Sequence, residues 1–253
     1  MKKIIIFYCL LMTSGITNAN IDSYYAVIND PDGNTNIREE YNLKSPIITK
    51  LNNGTPISVR CDEGLKNKNF CEARFGKTED GVVSKNRLTF LTPNATFNKI
   101  PLTSISANKT EGTFSNKNVL VNVKFNPIKI DIKKTKEVNT NKFGGCEVLY
   151  NNKCAFGYFN RDTKPDYTQL QTVLVKVNGK TIVLPPSATQ DIYLSRYFLA
   201  NDAIANDIGV YQNKKDNHLY IIGRFADGAL LYSVIYEIKD GKYFRKSVWS
   251  EAI

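Results

Sequence analysis

A single histidine, His218, serves all 253 residues, alongside one tryptophan and two methionines. That scarcity narrows the chemistry before any motif is sought. A Ser–His or Cys–His nucleophile would have to use His218, which follows "NKKDN" and reads as a solvent-exposed turn position. A zinc site would want two-residue cysteine spacings and several histidines, and neither is present. There is no Gly-x-Ser-x-Gly elbow, no His-Glu-x-x-His pair and no glycine-rich phosphate loop. No catalytic residue, metal or cofactor is expected. Carboxylates at Asp202, Asp207, Asp227 and Glu237 leave carboxylate catalysis open in principle, but nothing in their spacing is specific.

Long apolar runs are missing too. The longest, Ile4 to Met12, falls short of the roughly 20 residues that cross a bilayer as a helix. Lys2 and Lys3 precede it and Thr17-Asn18-Ala19 follow, the charged, apolar and small-residue order of a signal peptide over residues 1–19. Tyr8 stands where lipoprotein processing at Cys9 would want a small residue. Export to the periplasm or beyond follows, with no transmembrane anchor in the mature chain. Losing Lys2 and Lys3 takes two from the formal net charge of +10 and leaves +8. A basic surface favours anionic partners. Outside the cytoplasm these are wall polymers, anionic lipids or acidic proteins rather than nucleic acid.

Four cysteines remain after cleavage: Cys61, Cys71, Cys146 and Cys154. An oxidising compartment makes disulfides the default. The local pairs Cys61–Cys71 and Cys146–Cys154 enclose turn signals at Glu63-Gly64 and Asn151-Asn152, so two clipped hairpins are expected.

From Asp32 the chain reads "DGNTNIREEYNLKSPIITKLNNGTPISVRC". Ile37 opens a short extended piece and Ser45-Pro46 turns it. Asn52-Asn53-Gly54 is a hairpin signal, and Ile57 and Val59 then alternate with polar residues. Gly33, Asn36-Ile37-Arg38, Ile47-Ile48-Thr49-Lys50-Leu51, Gly54 and the closing "DGVVSKNRL" at 80–88 resemble the bacterial SH3-like (SH3b) family over about residues 23–91. Val82 replaces that family's usual closing aromatic. The resemblance implies a small β-barrel and an envelope-targeting role. It makes Tyr24, Tyr25, Arg38 and Tyr41 the candidate ligand contacts, although Arg38 reads mainly as a structural residue tying loop carbonyls through its five donors, and one of Tyr24 and Tyr25 must point inward if their segment is a strand.

Residues 92–118, rich in Thr, Ser and Asn, read as a linker into a second domain at 119–253. "VLVNVKFNPIKIDI" predicts two strands either side of Asn126-Pro127. "TVLVKVNGKTIVL" predicts a hairpin across Asn178-Gly179. Between Ser187 and Gly209, a Ser-x-x-Gln capping pattern and apolar residues at Tyr193, Tyr197, Ala200, Ile204 and Ile208 predict one helix of four to five turns. Asp202 and Asp207 would lie on it. The tail, "VYQ", "HLYIIGRF", "ALLYSVIYEI" and "YFRKSVW", predicts an antiparallel meander.

The fold class expected is therefore mainly β: an N-terminal SH3-like barrel over residues 20–91, then an α+β domain whose antiparallel sheet carries one main helix. The function expected is that of an exported, non-catalytic envelope protein. It would bind peptidoglycan or an exported protein partner, and could act as an inhibitor or immunity protein. The competing readings are a wall-modifying hydrolase using carboxylates and a structural or assembly protein of the envelope.

Overall fold

Side chains that alternate with period two on short strands leave a face to be buried, and that requirement organises the whole molecule. The computed structural model describes residues 25–61, 67–75, 79–101, 103–107, 110–138, 146–157, 166–195, 208–225 and 232–250. Residues 1–19, expected as a signal peptide, Tyr24 and the carboxylates Asp202, Asp207 and Asp227 lie outside the described residues.

Seven antiparallel strands make the N-terminal sheet: β1 (Tyr25–Ile28), β2 (Asn34–Arg38), β3 (Ile47–Asn52), β4 (Pro56–Arg60), β5 (Phe70–Phe75), β6 (Glu79–Ser84) and β7 (Leu88–Phe90). Their order is β3-β2-β6-β5-β4-β1-β7. Ile28, Ile37, Ile57, Val59, Phe75 and Val83 are among the residues that fill its core, and the Cys61–Cys71 disulfide joins the ends of β4 and β5. The hairpin expected at Asn52-Asn53-Gly54 does not form, because β3 pairs with β2 whereas β4 pairs with β1 and β5. The turn is instead a corner bonded to the β1–β2 connection. Gly54 N–H donates to Ile28 O (2.8 Å), Asn53 N–H donates to Gly33 O (2.9 Å), and the Asn53 amide exchanges two hydrogen bonds with the Asp30 backbone.

The stretch expected as a linker is stranded: β8 (Phe97–Ile100), β9 (Thr103–Ala107) and β10 (Glu111–Ser115) all fall within it. There follow β11 (Val119–Lys129), β12 (Thr135–Glu137), β13 (Val148–Tyr150), β14 (Lys153–Cys154), β15 (Asp166–Val177) and β16 (Lys180–Val183). After a one-turn helix, α1 (Pro186–Thr189), come β17 (Tyr193–Ser195), β18 (Ile208–Asn213), β19 (Leu219–Phe225), β20 (Tyr232–Lys239) and β21 (Lys242–Ser250). The hairpin across Asn178-Gly179 and the C-terminal meander form as expected.

Two expectations in this region are corrected. β11 is one strand rather than two; its register shifts between Lys124 and Phe125, and Pro127 lies inside it opposite Thr168. Proline is tolerated there because β10 pairs with β11 only as far as Lys124, so the donor that Pro127 lacks faces no partner strand. Of the span expected as one helix, residues 187–189 lie in α1 while residues 193–195 and 208–209 are strand, and residues 196–207 lie outside the described set. Ile192 and Leu194 enter the main core while Tyr193 enters a separate small one, which is a two-residue period rather than a helical one.

What the helix was expected to cover is covered by strands. The sheet β21-β20-β19-β18-β8 packs one face on the sheet β16-β15-β11-β10-β9, to which β17 is also joined. Val121, Val123, Phe125, Val173 and Val175 meet Val210, Ile221, Val234, Tyr236 and Val248 across this sandwich. The other face meets the N-terminal sheet, where Tyr211, Tyr220, Ile222, Ile235 and Trp249 pack on Tyr25, Val27 and Leu91. Burial on both faces explains the nearly unbroken apolar runs of β19 and β20. Each large side chain so buried contributes about 2 kcal/mol. The N-terminal sheet is thus fixed to the sandwich by a shared core.

Candidate functional site

Strands β4, β5 and β6 lie side by side, and their registry builds an outward polar face from residues that alternate with the core. Arg60, Glu72 and Val82 stand directly opposite one another across the three strands, and Ser58, Arg74 and Asp80 form the next row. Cross-strand neighbours of opposite charge attract at this spacing. The Arg60 guanidinium is 2.6 Å from the Glu72 carboxylate, and Arg74 is 3.3 Å from Asp80. Tyr41, carried on the β2–β3 loop, closes over the first row and donates its hydroxyl to Glu72. With Glu39 at the rim these residues line a groove of about 410 Å³, within the range of small-ligand sites.

The electrostatics of the groove favour exchange of partners. Exposed ion pairs are worth about 0–1 kcal/mol each, so Arg60 and Arg74 can leave Glu72 and Asp80 for a ligand at small cost. Two guanidiniums, three carboxylates and one phenol suit a ligand bearing both signs of charge, such as a peptide with free amino and carboxylate groups. Gly81 allows this floor to lie flat on the core: a Cβ there would stand 2.5 Å from Ile37 Cγ2 and 3.1 Å from Arg38 O.

Of the residues singled out by sequence, Tyr41 lines the groove and Arg38 does not. The Arg38 Nη1 donates to Ser45 O at 2.6 Å and so fastens the loop that carries Tyr41. Tyr25 is corrected as a ligand contact. It is buried at the seam between sheets, with its ring 6.4 Å from Trp249 and its hydroxyl bonded to Ser233 Oγ.

His218 is also corrected. It is 7% exposed, stacks on Tyr220 at 4.4 Å and lies with Nε2 3.1 Å from Glu237 Oε2, outside hydrogen-bond alignment. Its turn is real, with Asn217 at φ 56°, but β19 begins at the next residue and carries the imidazole into the seam. Glu237 is wholly buried and is bound by Arg245.

Cys146 and Cys154 are unbridged thiols rather than the expected disulfide. The Asn151-Asn152 turn does form, with both residues at positive φ. The two thiols are hydrogen-bonded to each other, and Cys146 Sγ also contacts Val148 O at 3.1 Å. That thiol–thiol bond, with burial second, pushes the Cys146 thiol far above its ordinary pKa. Compared with known proteins, the chain matches no family model, no curated protein and no solved structure.

Proposed function

We propose that the protein is an exported, non-catalytic binding protein of the cell envelope. On this reading the N-terminal sheet is an SH3-like module. Its Tyr41–Arg60–Glu72–Arg74–Asp80 groove takes peptidoglycan or an exported protein, in the second case as an inhibitor or immunity protein. The observation that carries the reading is that groove: exchangeable charge pairs beneath an aromatic side chain, on a sheet held firmly to a larger scaffold. The basic balance of the chain, +10 before processing, supports an anionic polymer as the first partner to test.

The test is co-sedimentation of residues 20–253 with insoluble peptidoglycan, beside a pull-down from an envelope extract. Wild type should pellet with the wall, or retain one stoichiometric protein, and the pair Tyr41→Ala and Arg74→Ala should abolish whichever binding occurs. Binding that survives both substitutions would refute the groove as the contact. Hydrolysis of purified wall would replace this reading with the hydrolase.

A further inference from the structure

The sandwich has an end where four connections meet: residues 116–118, 178–179, 214–218 and 240–241. Asn178-Gly179 (φ 48° and 82°) and Asp240-Gly241 (φ 51° and 66°) are tight turns of fixed geometry. Asn116 Oδ1 accepts from the N–H groups of Asn118 (2.9 Å) and Val119 (2.8 Å), which holds the first turn rigid. Two adjoining grooves of about 330 and 380 Å³ open here, sharing Val177, Asn178 and Gln212.

Asparagine in a turn follows from turn chemistry alone and says nothing about ligands. Two strand residues say more. The inward row of β18 runs Ile208, Val210, Gln212, and its neighbour on β8 runs Ile100, Asn98, with Ile100 opposite Val210 and Asn98 opposite Gln212. Ile208, Val210 and Ile100 pack on the sandwich core. At the next position of both strands the row reaches the rim, where Asn98 is exposed and Gln212 half-buried, so it ends in two amides at the mouth of the grooves.

The grooves pair these amides with an apolar floor. Val119 and Val177 from one sheet, and Leu219 and Ile238 from the other, lie beneath Asn98, Gln212 and the turn asparagines. Gln212 Nε2 donates to Asn217 Oδ1 at 3.0 Å, which leaves the Gln212 carbonyl and the Asn217 amino group unspent. The side-chain amides of Asn98, Asn118 and Asn178 make no hydrogen bond among the described residues.

Amides carry a donor and an acceptor side by side without charge. They match vicinal hydroxyls and acetamido groups, while aliphatic side chains match the C–H face of a sugar ring. A phosphate-bearing ligand would want clustered cations, whereas Lys99 and Lys180 stand in separate grooves. Among the described strands β8 and β16 are the sheet edges beside these grooves, but a peptide added along either would be held by main-chain groups and would leave the side-chain amides unexplained. We propose that this end of the sandwich is a saccharide site taking a short run of sugar rings between the two sheets. It is separate from the Tyr41 groove and does not depend on it.

The experiment is an NMR titration of residues 20–253 with three probes: the β-1,4-linked tetramer of N-acetylglucosamine, cellotetraose and maltotetraose. At least one should shift the backbone amides of Asn98, Asn178, Gln212 and Asn217. The double variant Asn98→Ala, Gln212→Ala should weaken that binding by about tenfold or more. Tyr41→Ala should bind the same probe as wild type, which separates this site from the N-terminal groove. No shift with any of the three probes, shifts confined to the Tyr41 groove, or binding unchanged in the double variant would each overturn the proposal. The mapping is made on wild type, so poor folding of the variant does not remove the test.

Discussion

Arg245 reaches from β21 to the carbonyl of Gly54, its Nη2 3.0 Å away, at the corner of the N-terminal sheet. The same guanidinium binds Glu237, which is wholly buried and has His218 on its other oxygen. A buried carboxylate stripped of its main cation is costly, about 3–5 kcal/mol where the pair is fully enclosed. Arg245 is partly exposed, so Arg245→Ala is expected to cost about 3 kcal/mol, near the lower end of that range. Adding Glu237→Gln should recover part of it by removing the stranded charge. Urea unfolding of both variants is the measurement, and a loss under about 0.5 kcal/mol in Arg245→Ala, typical of surface changes, would show the contact to be incidental.

Trp249 is the chain's one tryptophan and lies in the core shared by the N-terminal and central sheets. Its fluorescence therefore reports whether the sheets are docked. Emission of wild type should be blue-shifted and resist iodide. Tyr25→Ala removes both the ring beside Trp249 and the bond to Ser233, at a cost of about 3–5 kcal/mol. It should shift emission to the red and admit iodide. Wild-type emission already at the solvent-exposed wavelength would contradict the docked arrangement.

Five tyrosines make the fold sensitive to alkali. Tyr193 is pushed up to about 12, and Tyr220, Tyr232, Tyr236 and Tyr243 are also raised, with burial the largest cause in every case. The folded chain must hold protons that the unfolded chain releases near the ordinary phenol pKa of about 10. Their contribution is thus complete below pH 10 and falls as pH rises from there toward the folded values. Urea midpoints should decline steeply above about pH 10. Absorbance at 295 nm should show these phenols ionising together with unfolding rather than before it. A smooth titration of every tyrosine near pH 10 in folded protein would disprove their enclosure.

What could be read in advance depended on how local its cause was. The Asn178-Gly179 hairpin and the meander β18–β21 are written in adjacent residues, and so is the loop that carries Tyr41. The face of a strand could be read from alternation, but not what would cover it. Tyr193 fits a helical stripe with Tyr197 and Ala200 as well as it fits a strand until β15 supplies the neighbour. The groove cations were missed for a related reason. "VRC" and "EARF" show Arg60, Glu72 and Arg74 pointing away from the core, but the registry that sets Arg60 opposite Glu72 is a long-range fact. His218 was misjudged because its cover, Tyr220 and Glu237, acts through the sheet rather than through the turn before it.

Two glycines at positive φ separate backbone strain from steric exclusion. Gly179, at φ +82°, has open space where a Cβ would go, so Gly179→Ala should cost about 1 kcal/mol from the left-handed conformation alone. Gly157, at φ +78°, has no such room: a Cβ would stand 2.2 Å from the Tyr193 carbonyl oxygen and 2.5 Å from the Tyr232 ring. That carbonyl already accepts the Tyr232 hydroxyl at 2.7 Å, and both residues are buried. Gly157→Ala must therefore break the hydrogen bond or move β17, adding about 1–3 kcal/mol of overpacking to the same strain. Equal losses in the two variants, measured by thermal or urea unfolding, would mean that the segment around Gly157 yields freely and does not clamp β17 against β20.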